Sequence, residues 1–195
     1  MSKSLDFYFD FVSPYSFLAH KEIKKIQKKN TIKVNYKPIL LGGLHNLHGI
    51  TAPAFIPAKD RYMVRDCKII AEKKKIKFKF NYYFPIKTVN LMRGVFISKE
   101  DEFENYYIEK IFDSIWKFGF NMNDQNIIEK VLRNIDINPK NFFSRTSSQT
   151  IKNLLRKKTN DAFEKGVFGA PTFFINNKMY WGQDRLEYAL SEVRK

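Results

Sequence analysis

The chain has 195 residues, of which 44% are hydrophobic and 16% aromatic, a composition that excludes a disordered protein and is able to bury one substantial core. Its 35 lysines and arginines against 20 acidic residues give a charge of +15, which favours small anionic ligands. Because the basic residues are spread along the chain without a recognition motif, we expect a solvated basic surface and no specific nucleic-acid binding.

The chain contains no run of 18 apolar residues, and Asp6 and Asp10 interrupt its first apolar stretch, which does not fit a secretory signal. We therefore expect a cytoplasmic protein that does not enter membranes. The single cysteine, Cys67, excludes an internal disulfide and dithiol chemistry within one chain. Its helical spacing from Met63 and Ile70 predicts a small buried hydrophobe and not a reactive thiol.

The first predicted elements are a strand and a helix within the segment FYFDFVSPYSFLA. Apolar residues occupy every second position over residues 5–11, as in a strand, and a helical stripe begins at Tyr15. Ser13 and Pro14 lie between the two patterns. Serine is a favoured helix N-cap and proline a favoured first helical residue, so this stretch alone is explained by a structural role for Ser13.

A second strand is predicted over residues 32–41, where apolar residues alternate up to Pro38. The connection from the first strand is long enough for a parallel pair with a right-handed crossover. The middle of the chain then shows helical periodicity. Its predicted helices, separated by Gly42-Gly43, Pro85, Gly119 and Pro139, cover residues 58–74, 88–98, 103–119, 127–134 and 149–165.

Strand patterns return near the end of the chain. Residues 170–176 and 178–181 flank Asn176 and Asn177, which suit a tight hairpin because asparagine tolerates positive φ. Asp184 is then predicted to open a last helix as its N-cap.

These elements predict an α/β protein with a thioredoxin-like fold and a large all-helical insertion domain. The thioredoxin-like domain is predicted to be discontinuous and to consist of residues 1–42 and 166–195. The helical insertion domain is predicted over residues 43–165.

The joint between the first strand and the first helix is the reactive corner of such a fold. Free backbone N–H groups and the helix dipole converge there and favour a negative charge such as a thiolate. The sequence SPYS has the spacing of a CxxC pair, but Ser13 and Ser16 stand in place of the cysteines. The chain therefore retains an anion site without its own thiol, and we infer that the thiol comes from outside.

Two motifs near the end of the chain extend this hypothesis. In GVFGAPTFF, the Ala170–Pro171 peptide precedes a strand, where thioredoxin-like folds place a cis bond that exposes backbone to an extended peptide ligand. An ordinary proline at a strand start is the alternative. In WGQDRLEYAL, the Asp184 carboxylate is either a helix cap or, with the N–H groups around Gly182 and Gln183, a site for the charged end of an amino-acid ligand.

Four segments resemble the 2-hydroxychromene-2-carboxylate isomerase family: FYFDFVSPYSFLA, PAKDRYMVRD at 57–66, GVFGAPTFF and YWGQDRLEYAL. That family is akin to kappa-class glutathione transferases and to DsbA-like proteins. The resemblance covers the whole chain and is stronger at both ends than over residues 95–160. It implies a thioredoxin domain with an inserted helical domain, glutathione as cofactor and a homodimer.

The same resemblance implies roles for individual residues. Ser13 matches the family serine that hydrogen-bonds the glutathione sulfur, and Ala170, before the cis Pro171, matches the residue whose backbone pairs with the cysteinyl part of glutathione. Lys59 matches a lysine that lines the site. The segment that binds the γ-glutamyl end corresponds to Trp181, Gly182, Gln183 and Asp184.

The chain departs from the family at Gly49-Ile50, where relatives commonly have Gly-Asn nine residues before the lysine. An amide contact to the ligand is therefore missing, or it is supplied by His48 or Thr51. This departure affects the prediction of the substrate more than the prediction of glutathione.

Histidine, arginine and tyrosine residues in the middle of the chain are further candidates for the site. His45 and His48 have the spacing of a metal pair, but no third ligand is in view, so we interpret them as loop residues. Arg93 and Tyr83 are candidates for the substrate side of the pocket that the sequence does not place.

The resemblance implies an isomerase that acts on a small anionic aromatic 2-oxo acid in aromatic-compound degradation. Its reaction consists of reversible thiolate addition, ring opening, bond rotation and elimination, after which glutathione is regenerated. A kappa-like glutathione transferase that stops after addition is one alternative. A non-catalytic thioredoxin-fold module that binds peptides or polyanions through its basic surface is another.

Overall fold

The computed structural model describes residues 4–29 and 32–194 and contains a four-stranded sheet with the order β2-β1-β3-β4. β1 and β2 are parallel, β3 is antiparallel to β1, and β4 is antiparallel to β3. The strands are β1 (Ser4–Phe9), β2 (Lys33–Pro38), β3 (Thr172–Ile175) and β4 (Lys178–Trp181). The parallel first pair is the arrangement that the sequence predicts.

Helices separate and follow these strands. They are α1 (Pro14–Lys29), α2 (Leu41–His48), α3 (Pro57–Lys73), α4 (Val89–Glu100), α5 (Glu104–Trp116), α6 (Gln125–Arg133), α7 (Pro139–Thr146), α8 (Gln149–Glu164) and α9 (Leu186–Arg194). Helices α2 to α8 all lie between β2 and β3 in the chain. The predicted thioredoxin-like α/β fold with a helical insertion is therefore confirmed, whereas the exact domain boundaries stay a prediction. No helix within the described ranges is both long and apolar enough to cross a membrane.

The hairpin between β3 and β4 is confirmed, with Asn176 and Asn177 at φ values of 49° and 60°. β1 ends at Phe9, two residues before the predicted end of its apolar alternation. The chain turns there because the Asp10 carboxylate accepts a hydrogen bond from the N–H of Val12, at 3.1 Å.

The alternation in β1 builds the core. Phe7 and Phe9 are fully buried, and Phe11 continues the same apolar cluster beyond the strand. The Phe11 ring packs on Phe112 of α5 with centroids 4.8 Å apart, and its carbonyl accepts a 2.8 Å hydrogen bond from the indole N–H of Trp116. Burying each of these aromatic side chains stabilises the fold by roughly 1.5–3 kcal/mol. These contacts with α5 thus hold the turn that leads into α1.

One predicted break in the middle of the chain is wrong, because Gly42 and Gly43 lie inside α2. Pro139 does separate two helices, and it is the first residue of α7, a helix that the sequence pattern did not predict. Glycine costs about 1 kcal/mol in a helix, but the N–H of Leu41 is held by the Asp10 carboxylate at 2.8 Å, a contact made only in the folded protein. His45 and His48 are consequently helical residues and do not belong to a loop.

Candidate active site

A cavity of about 620 Å³ opens where β1 gives way to α1, a volume typical of small-molecule sites. Its walls come from the start of α1, from α2 and the residues after it, from the start of α3 and from the segment before α4. The predicted site residues in its lining are Ser13, Lys59, Ala170 and Trp181. The predicted site residues outside its lining are Pro171, Gly182, Gln183 and Asp184.

The hydroxyl of Ser13 is buried at the N-terminus of α1 and has two partners. Its Oγ accepts a hydrogen bond from the N–H of Ser16 at 3.1 Å, as an N-cap does, and donates one to the carbonyl of Ala170 at 3.0 Å. The predicted capping role is confirmed. The second bond also joins the two motifs on which the predicted site depends, although they lie 157 residues apart in the chain.

No side chain at this corner supplies a thiol. Ser13 and Ser16 occupy the CxxC positions, and the Ser16 hydroxyl is fully buried without a hydrogen-bond partner in the described ranges. The single cysteine, Cys67, is fully buried in α3, and burial raises the pKa of its thiol to about 12. Cys67 is therefore a core residue, and a thiolate in the cavity has to belong to a ligand.

The peptide between Ala170 and Pro171 is cis, as predicted. The Pro171 carbonyl accepts a 2.9 Å hydrogen bond from the N–H of Gly182, which holds the turn after β4 against this peptide. Gly182 has a φ of 109°, and a Cβ there would lie 2.6 Å from the Asp184 carboxylate. Glycine is therefore required for the turn that carries Asp184 beside the cavity.

Asp184 is not the helix cap that the sequence predicts. Residues Gln183–Arg185 form a 3₁₀ turn, α9 begins only at Leu186, and no side-chain cap hydrogen bond is formed at this turn. The Asp184 carboxylate is exposed and lies 3.5 Å from the Arg185 guanidinium. The hydrogen bond between Gly182 and Pro171 sets this turn, and the carboxylate has no backbone partner among the described residues.

Trp181 closes one side of the cavity. Its ring packs against Phe168 with centroids 4.8 Å apart, while about half of its surface stays exposed. A Cβ at Gly169 would lie 2.5 Å from the indole nitrogen, so only glycine allows the ring to take this position. An exposed indole at a cavity mouth offers an apolar face and an N–H donor to a ligand.

Asp10 is a site residue that sequence reasoning missed. Its carboxylate is buried in the cavity wall and accepts hydrogen bonds from the N–H groups of Val12 and Leu41 and, at 2.6 Å, from the Thr88 hydroxyl. Burial raises the pKa of Asp10, although these three bonds oppose the shift. The carboxylate thereby ties together the N-terminal ends of α1, α2 and α4. An acidic residue directly after an apolar strand is the signal that could have identified it.

Two lysines give the cavity a basic side. Lys59, near the start of α3, was predicted, and Lys87, in the segment before α4, was not. The backbone N–H of Lys87 is held by the Asn123 side chain at 2.8 Å, a contact that no local pattern marks. Arg93 and Tyr83, considered for the substrate side, are not part of the lining.

The segment that departs from the family pattern lies on the cavity wall. Ile50 and Thr51 line the cavity, as does His45 in α2. The His48 ring points elsewhere, with its Nε2 2.9 Å from the Val167 carbonyl, so Thr51 is the better placed of the two predicted substitutes for an amide contact. Within the described ranges, no group of side chains suitable for a metal ion is present.

A capping serine at a helix N-terminus is hydrogen-bonded to a cis proline segment in the wall of one cavity, beside a β2-β1-β3-β4 sheet. These features define a thioredoxin-fold protein with a cavity at the start of α1 and no cysteine in the described lining of that cavity. The chain belongs to the DSBA-like thioredoxin domain family, whose model matches residues 4–194.

The chain is similar to proteins of two named activities. It is 26% identical to the 2-hydroxychromene-2-carboxylate isomerase of Sphingobium xenophagum, over 96% of each chain. It is also 26% identical to glutathione S-transferase kappa 1 of Rattus norvegicus, over 96% of this chain and 91% of the relative. The solved structure of a 2-hydroxychromene-2-carboxylate isomerase matches with a TM-score of 0.89 at 25% identity, over 97% of this chain and 94% of that one. The resemblance inferred from the four motifs is confirmed.

Proposed function

We propose that this protein is a glutathione-dependent isomerase of a small anionic aromatic 2-oxo acid. The observation that carries the proposal is the buried Ser13 hydroxyl at the start of α1, hydrogen-bonded to the Ala170 carbonyl in the wall of a cavity whose described lining contains no cysteine. A hydroxyl donor at a helix N-terminus stabilises a thiolate. Relatives named as 2-hydroxychromene-2-carboxylate isomerases, at 26% and 27% identity, support an isomerase.

The residues present fit glutathione. Ser13 has one hydroxyl hydrogen, which it now donates to the Ala170 carbonyl, so donation to a bound sulfur requires that this bond be released. The freed carbonyl is then able to accept the cysteinyl N–H of an extended peptide ligand. The exchange replaces one hydrogen bond within the protein by two to the ligand, so ligand binding leaves neither group unpaired.

The charged ends of glutathione have counterparts around the cavity. The exposed Asp184 carboxylate, beside Trp181, suits the γ-glutamyl ammonium. Lys59 and Lys87 suit carboxylates of glutathione or of the substrate. Phe55 and Phe84 add apolar surface for an aromatic ring.

When bound, glutathione supplies a thiolate that adds reversibly to an unsaturated carbon, so that the substrate isomerises through ring opening and bond rotation and glutathione leaves unchanged. Ser13 donates a hydrogen bond in this scheme and is not a covalent nucleophile, because its hydroxyl hydrogen is bonded to a carbonyl and not to a base. We further propose that the protein is a homodimer, to be tested by sedimentation, and that it is cytoplasmic, to be tested by cell fractionation. We also propose that it binds DNA only weakly and without sequence preference.

A glutathione transferase is the second candidate, favoured by the kappa-class relatives that match the chain over almost its whole length. One incubation with glutathione and 2-hydroxychromene-2-carboxylate separates the two, with the reaction followed spectroscopically. Isomer formation at constant glutathione supports the isomerase, whereas accumulation of a conjugate supports the transferase. Absence of glutathione binding by calorimetry would contradict both and leave a binding module.

A further inference from the structure

The cavity contains more titratable chemistry than the thiolate site uses. The titratable side chains in its described lining are Asp10, Tyr15, His45, Lys59 and Lys87. Isomerisation by ring opening moves a proton from one oxygen to another. A side chain in the cavity that accepts a proton and returns it would therefore act as a general base and acid for this step.

Four of these side chains are unsuited to that use. The Asp10 carboxylate already accepts three hydrogen bonds. The Tyr15 hydroxyl donates to Asp66 at 2.8 Å, and burial, followed by this bond, raises the pKa of Tyr15. Lysine ammonium groups, as at Lys59 and Lys87, offer donors and no acceptor.

His45 differs from all of them. The residue is only 9% exposed, it borders the cavity, and its ring has no hydrogen-bond partner within residues 4–29 and 32–194. Burial lowers the pKa of His45, and the neighbouring His48 adds to the effect, so the imidazole is neutral at pH 7. A neutral imidazole has one free acceptor nitrogen and one donor. The ring lies one turn along α2 from Leu41, whose N–H is fixed by Asp10.

We propose that His45 is the catalytic proton acceptor and donor for ring opening of the substrate, an inference that rests on the proposed isomerase function. In a 2-hydroxychromene-2-carboxylate, the ring oxygen and a hydroxyl share carbon 2. The free nitrogen of His45 takes the hydroxyl proton as the carbon–oxygen double bond forms. The bond from carbon 2 to the ring oxygen breaks, and its electron pair stays on that oxygen as a phenolate. The imidazolium then returns the proton to the phenolate, so no oxidant, reductant or water is consumed.

The surroundings of His45 fit a substrate of this class. Lys59 and Lys87 place two cations in the same cavity for a carboxylate. Asp10 is the carboxylate in the described lining, and His48 is the neighbour that lowers the pKa of His45. Because Asp10 and His48 have hydrogen-bond partners of their own, neither competes for the substrate hydroxyl. His45 is thus the group whose protonation should set the acid side of the pH profile.

The test compares His45→Gln with His48→Gln, a matched control one turn along the same helix whose ring is bonded to the Val167 carbonyl and is not part of the lining. We expect His45→Gln to lower kcat about 10²-fold at pH 7, with a much smaller change in KM, and to remove the acid limb of the kcat profile. His48→Gln should keep kcat at pH 7 and retain an acid limb, moved to higher pH because the lowering of the His45 pKa by His48 is lost. Added imidazole should restore part of the rate of His45→Ala.

A second readout does not depend on turnover. In protein with labelled histidine, phenylpyruvate, an aromatic 2-oxo acid, should shift the ring resonances of His45 and change its pKa, while those of His20 stay in place. Two outcomes overturn the assignment of His45 but not the proposed function. One is a fully active His45→Gln variant beside an active wild type, and the other is that the ring resonances of His45 do not shift. A wild type that does not isomerise the chromene overturns the proposed function as well.

Discussion

The two regions around His20 and His45 show how differently one fold uses a buried imidazole. His20, on α1, is fully buried; its Nε2–H donates to Glu109 at 2.6 Å, and its Nδ1 accepts from the Tyr36 hydroxyl at 3.2 Å. His45 is also buried and neutral, but it borders a cavity and has no partner in the described ranges.

The two imidazoles differ in their hydrogen bonds. Protein groups bond both ring nitrogens of His20, whereas the ring nitrogens of His45 are left for a ligand. A fully bonded network rigidifies the core, and removal of one member leaves the others unpaired at a cost in stability. An unbonded imidazole at a cavity is able to bind a ligand without first breaking a bond. Mutations in the His20 region should therefore change stability, and mutations in the cavity should change activity.

Ser13→Ala should produce the largest effect of this kind. We expect turnover to fall about 10² to 10³-fold at neutral pH, as it does when an oxyanion-type donor is lost, with glutathione still bound. The pKa of the bound thiol should rise, so part of the rate should return at higher pH. Stability should fall by only about 1–2 kcal/mol, because a cap and one further hydrogen bond are lost.

The measurement is the ultraviolet absorbance of the thiolate against pH for both proteins. Ser16→Ala is the matched control, since it removes a buried hydroxyl without a described partner and should leave turnover and stability unchanged or slightly higher. Superimposable titration curves for Ser13→Ala and the wild type would reduce Ser13 to a helix cap.

His20→Phe tests the other region. It leaves the Glu109 carboxylate and the Tyr36 hydroxyl without their imidazole partner, so we expect a loss of about 2–3 kcal/mol and a fall in Tm of roughly 5–10 °C. Glutathione affinity of the folded protein should not change. Thermal unfolding and calorimetry measure the two quantities, and a parallel loss of affinity would show that the regions are coupled.

Acid should weaken the same region. Burial lowers the pKa of His20 from 6.5, and the unfolded chain therefore binds its proton first. Burial raises the pKa of Glu109, but hydrogen bonds from His20 and Lys21 outweigh it and bring the value to about 2. The His20 shift means that stability is lost as pH falls below about 6.5, and the Glu109 shift adds a further loss as pH falls from about 4.5 towards 2. Urea denaturation at several pH values should show both. His20→Phe should make the stability less dependent on pH just below 6.5. An unchanged slope of stability against pH would contradict the assignment of this loss to His20.

Asp184→Asn should have a smaller effect, confined to ligand binding. If the carboxylate holds the γ-glutamyl ammonium, the apparent dissociation constant for glutathione should rise about 5 to 10-fold. Tm should not change, because Asp184 caps no helix in the structure. Calorimetry measures the dissociation constant, and thermal unfolding measures Tm. A lower Tm with unchanged affinity would show that Asp184 is a helix cap and does not bind glutathione.

Salt should have the smallest effect. Glutathione affinity should weaken only a few-fold between about 50 and 500 mM salt, because a surface field on a small anion is screened over this range. Calorimetry at the two salt concentrations measures this change. A nanomolar complex with one DNA sequence would contradict the enzyme hypothesis.

Local sequence was sufficient for both ends of the chain. The period-two apolar pattern before Ser13, the serine–proline pair that starts α1 and the paired asparagines of the hairpin depend on neighbouring residues alone. Such features follow from backbone sterics, capping and alternation, which do not require knowledge of the rest of the fold. The cis bond before Pro171 is predicted only when both ends of the chain are interpreted together as a thioredoxin-like fold. The family motifs lie in the same segments.

Tertiary contacts decided the remainder. Two glycines are helical in α2 because a carboxylate 31 residues away holds the N–H of Leu41. Asp184 caps nothing because Gly182 is bonded to Pro171. The composition of the cavity wall, with Asp10 and His45 among its residues, depends on how distant segments pack. The sequence by itself therefore determined the elements around Ser13 and Pro171, whereas only the folded structure determined which side chains surround them, because long-range hydrogen bonds outweigh local propensity.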